Sequence, residues 1–95
     1  MKAAPVTLEM GFSRADLIRC IGDAFGGRAA FAGDAVVIAL PEGSVRIKFS
    51  GDRERRIALL RLPVLDVDIS FNGVCEAAAR AFLERFDAYT RRGGG

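Results

Sequence analysis

Asp66 and Asp68 stand two residues apart in Leu65-Asp66-Val67-Asp68-Ile69, a run that alternates apolar and polar. In a strand both carboxylates project from one face, about 7 Å apart. Such a pair could hold a cation or share a proton. A hard cation wants more oxygen ligands than two carboxylates supply, so the pair reads as a solvated strand face countered by nearby cations. Those cations are Arg46, Lys48, Arg53, Arg55, Arg56 and Arg61, the densest basic region of the chain. It could bind phosphate, but Asp52 and Glu54 interrupt it. No exposed aromatic residues alternate with the cations as a strand-binding sheet requires, so nucleic acid is not an expected partner.

The chain has no histidine. It therefore lacks the side chain best suited to proton transfer near neutral pH. Cys20 and Cys75 cannot by themselves complete a four-ligand zinc site. Both fall at apolar helical positions and read as buried free thiols. Cys75 is expected in the first turn of a helix, where a thiolate is favoured, but no histidine can serve as its base. Gly22-Asp23-Ala24-Phe25-Gly26-Gly27 lacks the lysine and hydroxyl of a phosphate loop, and it closes a helix instead of opening one. The expectation is a protein that is not an enzyme, with no catalytic residue, cofactor or metal.

These side chains sit on elements that the patterning outlines. Val6, Leu8, Met10 and Phe12 alternate with Thr7 and Glu9, predicting a strand over 5–12. Ser13 precedes Asp16 by three residues, a helix-start signal, and Leu17, Ile18, Ile21, Ala24 and Phe25 follow at helical spacing. Gly26-Gly27 stops that helix. Turn signals at Gly33-Asp34, Pro41-Glu42-Gly43-Ser44, Ser50-Gly51-Asp52-Arg53 and Pro63 divide the next stretch into strands at about 28–32, 35–40, 45–50, 55–62 and 65–71. Asn72-Gly73 then opens a long helix with Cys75, Ala78, Ala79, Phe82, Leu83, Phe86 and Tyr89 on one stripe. Glu76–Arg80, Arg80–Glu84 and Asp87–Arg91 are opposite charges four residues apart on its exposed side.

The order is strand, helix, meander, helix. It implies an α+β fold: a single antiparallel sheet with two helices packed on one face, in one domain over 1–95 with 93–95 as a flexible tail. The expected core runs through Val6, Leu8, Met10, Leu17, Ile21, Phe25, Val45, Ile47, Phe49, Leu65, Val67, Ile69, Phe71, Phe82, Leu83 and Phe86. The second face carries Thr7, Glu9, Arg46, Lys48, Asp66, Asp68 and Ser70. In 55–62 the favoured register turns Ala58, Leu60 and Leu62 inward, and Ile57 and Leu59 outward between Arg55 and Arg61.

Net charge is +2, with 14 basic and 12 acidic residues, which marks neither a nucleic-acid nor a membrane protein. Arginine supplies 12 of the 14 basic residues, which with the many alanines suggests a GC-rich bacterial genome. Lys2 is followed by too short an apolar stretch for a secretory signal, and no run reaches the roughly 18 apolar residues of a membrane span. A cytoplasmic chain is the expectation.

By element order, the chain resembles the START-like helix-grip proteins. That resemblance implies a cavity between a curved sheet and a long C-terminal helix, and with it a carrier of an apolar small molecule. The order also resembles the strand–helix–four-strand–helix order of TATA-box-binding-like domains. Arg91-Arg92-Gly93-Gly94-Gly95 resembles the Arg-Gly-Gly tails of ubiquitin-like modifiers, although those tails follow a strand and end in two glycines.

Two runs break the alternation: Val36-Val37-Ile38-Ala39-Leu40 and Ile57-Ala58-Leu59-Leu60. Consecutive apolar residues in a strand point to both faces, so the second face needs cover. The reading this supports first is a non-catalytic interaction module, a homodimer or a binder of another protein, joined through that face. Its candidate interface is Val37, Arg46, Lys48, Ile57, Leu59, Asp66 and Asp68, an apolar centre with a charged rim.

Overall fold

A computed structural model of the chain describes residues 3–51 and 53–93. The elements are β1 (Val6–Met10), α1 (Arg14–Phe25), β2 (Ala29–Ala32), β3 (Ala35–Leu40), β4 (Gly43–Phe49), β5 (Arg53–Ile57), β6 (Leu60–Asn72) and α2 (Glu76–Gly93), with one 3-10 turn, Gly26–Arg28, after α1. Every strand pairing is antiparallel. The sheet runs β1-β6-β4-β3-β2, and β5 pairs with the first half of β6. This is the α+β architecture that the alternating runs imply. The meander is broken once, because β4 pairs with β6 and not with its chain neighbour β5.

One face of the sheet and both helices share the core. Val36, Ile38, Val45, Ile47, Phe49, Leu65, Val67 and Ile69 pack with Leu17, Ile21 and Phe25 of α1 and with Phe82 and Phe86 of α2. Val6, Leu8 and Met10 are only partly buried, because β1 is an edge strand. The Ser13 hydroxyl accepts a hydrogen bond from the Asp16 N–H at 3.2 Å, satisfying one free donor of the first turn of α1. Where α1 ends, Arg85 of α2 donates from Nε to the Ala24 carbonyl at 2.8 Å. Its guanidinium also lies over the rings of Phe25 and Tyr89. A cation at that carbonyl end is favoured by the helix dipole, so Arg85 locks the two helices together.

Gly43 begins β4 opposite Leu40, pressed against the end of β6. A Cβ there would lie 2.1 Å from the Asn72 carbonyl oxygen and 3.0 Å from the carbonyl carbon of Gly73. Both obstacles are backbone, so neither can swing aside. Gly43→Ala is expected to destabilise the fold by about 2–3 kcal/mol. A urea titration of the variant against the parent, with equal slopes, measures it.

Several sequence expectations are corrected. The stretch 55–62 is not one strand: the chain reverses at Ala58-Leu59, and its two halves pair with each other, Ile57 opposite Leu60 and Arg53 opposite Val64. Ala58, Leu60 and Leu62 are exposed, because this hairpin projects past the helices and has no core to face. Pro63 marks no turn. It lies within β6 opposite Glu54. A two-residue turn makes Ile57–Leu60 a hydrogen-bonded pair, so by alternation Glu54–Pro63 is a pair without ladder bonds. The missing N–H of Pro63 therefore points away from β5, on the side where β1 has already ended opposite Leu65.

Cys75 is exposed, not buried. It precedes α2 and its carbonyl accepts the first helical bond, from Ala79 N–H at 2.9 Å. Gly73, at φ +71°, turns the chain so that Val74 is the residue buried there. Gly93 is the last residue of α2, not part of a tail. Lys2, Asp52, Gly94 and Gly95, which figure in the sequence patterns above, lie outside the described residues.

Candidate interaction surface

β5 and the first half of β6 form a two-stranded arm, residues 53–64. β6 is thirteen residues long. At 3.3 Å per residue it spans about 43 Å, close to the molecule's longest dimension of 46 Å. Its second half is the centre of the sheet, and its first half carries β5 alone. All five residues of β5 are exposed. The turn is Ala58-Leu59, with Ala58 at φ +54°, the one non-glycine residue with positive φ among those described. Positive φ at the first turn residue alone is the type II′ pattern, which normally takes glycine there. Alanine in that conformation costs about 1 kcal/mol. Ala58→Gly is accordingly expected to stabilise the chain by about 0.5–1 kcal/mol, read as a rise in the thermal midpoint.

The arm holds four of the seven large exposed apolar side chains of the described residues, the three most exposed among them. Leu59 is 100% exposed, Leu60 61%, Ile57 52% and Leu62 41%. Ile57, Leu60 and Leu62 share one face of the ribbon, and Leu59 forms its tip. The opposite face carries Arg56 directly across from Arg61. Like charges in that position repel. Among the described residues no acid pairs with either one.

Polar contacts fix where the arm leaves the sheet. Arg53 Nη2 donates to both oxygens of Asp66, at 2.8 and 2.9 Å, and Arg55 Nη2 donates to Glu9 Oε1 at 2.7 Å. Glu9 and Asp66 are cross-strand neighbours, so the two arginines separate a pair of like charges. Ser50 N–H donates to the Asp66 carbonyl at 3.0 Å, and the Ser50 hydroxyl accepts from Asp66 N–H at 3.1 Å. Exposed ion pairs are each worth a few tenths of a kcal/mol; their effect here is positional.

The seven candidate interface residues therefore divide into two groups. Val37, Arg46, Lys48, Asp66 and Asp68 lie on the sheet's second face, with Lys48 opposite Asp68 and Val37 opposite Arg46. Asp68 accepts from the Thr7 hydroxyl at 3.1 Å, and Asp66 is held by Arg53. Val37, 43% exposed, stands among alanines and charged neighbours, so this face is polar. Ile57 and Leu59 lie beyond the sheet on the arm, where Ile57, opposite Leu60, continues the side on which Asp66 stands. Sequence reasoning missed Leu60 and Leu62 as surface residues. The one available signal was their place beside Arg55, Arg56 and Arg61.

A groove runs along the flank between β1 and α2. Just before β1 and along the first two-thirds of α2 it is an open hollow of about 490 Å³ against Ala3, Ala4, Phe71, Ala79 and Leu83, with Glu76, Arg80, Glu84 and Asp87 around them. It continues past Asp87 into a hollow of about 440 Å³ beside Leu8, Met10 and Phe12. The space between sheet and helices, where a helix-grip cavity would lie, holds the rings of Phe25, Phe82 and Phe86, with Phe25 and Phe82 stacked 4.9 Å apart. Cys20 is buried within α1, which pushes its thiol pKa up. Among the described residues no helix is long and apolar enough to cross a membrane. Comparison of the chain with protein-family models, curated proteins and solved structures finds no match.

Proposed function

We propose that this chain is a non-catalytic interaction module that associates with itself, and that the arm is the element it binds with. The observation that carries this is Leu59, wholly exposed at the tip of a projecting hairpin and ringed by Ile57, Leu60 and Leu62. A hairpin turn is ordinarily built from Asn, Gly or Asp, which favour both the turn and water. Here the turn is alanine in a strained conformation followed by a bare leucine. Strain of this kind is kept where the tip's contacts matter more than the turn's comfort. A contiguous exposed apolar patch with a charged border is the signature of an association site.

The sheet's second face supports the reading less well, because its acids Glu9, Asp66 and Asp68 are held by neighbouring side chains and it offers one exposed valine. Light scattering over a concentration series tests the proposal. The mass is expected to rise from one chain towards two. A mass of one chain at high micromolar concentration would overturn it.

A further inference from the structure

We infer that the receptor for the arm is the β1–α2 groove of a second copy, the two chains exchanging arms about a two-fold axis beside β1. The inference rests on the self-association proposed above and names its partner surface. The first support is charge. Arg56 and Arg61 face each other on the arm with no acidic partner among the described residues. The groove offers an apolar floor, Phe71 and Leu83 within it, bordered by three acids, Glu76, Glu84 and Asp87, against one cation, Arg80; Asp87 also pairs with Arg91. The Leu59 tip suits the floor. Arg61, in step with core-facing Leu65 and Val67, and Arg56 opposite it project to the helix side, where the groove's acids lie, and an acid placed there relieves the repulsion across the arm.

The second support is placement. The arm leaves the sheet at the Met10 end of β1, and the hollow floored by Phe71 and Leu83 lies at the Ala3–Ala4 end of the groove. Leu62 and Phe71 are nine residues apart on one strand, about 30 Å. An arm cannot fold back along its own strand into its own groove. A two-fold rotation exchanges the ends: two β1 edges set antiparallel place each arm beside the other chain's groove. The third support is that β1 is the terminal strand of the sheet, so among the described residues its outer edge has no strand to displace. The resulting interface is isologous and closed, with each arm used once.

A charge exchange in the full chain tests this. One variant carries Glu84→Lys and Asp87→Lys in the groove; the other carries Arg56→Glu and Arg61→Glu in the arm. Each alone is expected to associate on the order of a hundredfold more weakly than the parent, since like charges then meet in the interface. An equimolar mixture of the two is expected to recover the two-chain mass, because every arm then meets a groove of opposite charge. The rescue also shows that both variants are folded. If the parent forms a two-chain species and the groove variant matches it, the groove is not the receptor, and self-association stands without it. If the parent is a single chain, self-association fails and takes this inference with it. A parent that stays single but binds anionic vesicles or duplex DNA through the arm overturns both in the same way and assigns the arm to that partner.

Discussion

Leu59→Asp is expected to weaken self-association on the order of a hundredfold while leaving the thermal midpoint within about 2 °C of the parent. The two halves of this expectation have one cause. Leu59 touches nothing that would bury it in the single chain, so its loss removes no core packing. Aspartate is also a good turn residue. In the associated state the same position is the foremost apolar side chain of the arm. An unpaired carboxylate carried into an apolar groove loses its hydration without compensation. Sedimentation equilibrium gives the first half and circular-dichroism melting the second, on the same samples. An unchanged mass beside an unchanged midpoint would show that the tip is not where the chains meet.

Phe82→Ala should have the opposite profile, a collapse in stability whatever the assembly state. Phe82 stacks on Phe25 at 4.9 Å, meets Phe71 edge-on at 6.1 Å and lies 6.1 Å from Phe86. It therefore joins α1, α2 and β6 at one point. Phe→Ala in such a place costs about 3–5 kcal/mol through lost burial and the hole left behind. Small domains have only about 5–15 kcal/mol in all. For a chain of this length the midpoint is expected to fall by roughly 15–30 °C. The control is Phe31→Ala on the edge strand β2, where the ring is half-exposed and the loss should stay below about 1 kcal/mol. Urea titrations of both variants would separate the two outcomes.

The legible parts of this fold were those in which polarity alternates against a real core. Val45, Ile47 and Phe49, and Leu65, Val67 and Ile69, point inward as their spacing requires. Val36-Val37-Ile38 looked oily on both sides, yet Val36 and Ile38 are buried and Val37 faces out beside Arg46. The arm was illegible for a physical reason. Ile57-Ala58-Leu59-Leu60 has none of the residues that mark a turn, and apolar side chains imply burial only when something lies ready to bury them. Pro63 pointed the other way, since a proline tolerated at an unpaired strand side looks in sequence like a proline that ends a strand. Cys75 looked buried because the stripe of α2 extends back to it, while Gly73 reorients the chain just before the helix begins. That β1 lies against β6 is a long-range pairing that no local pattern encodes.

β6 gives the molecule a mechanical property. The strand that starts at the Leu59 tip is the same strand that is laced to β1 on one flank and β4 on the other. A pull on the tip is thus a pull along the spine, and it loads both ladders in shear, with many bonds resisting at once. Under tension such a grip would let go of its holdfast before the body came apart.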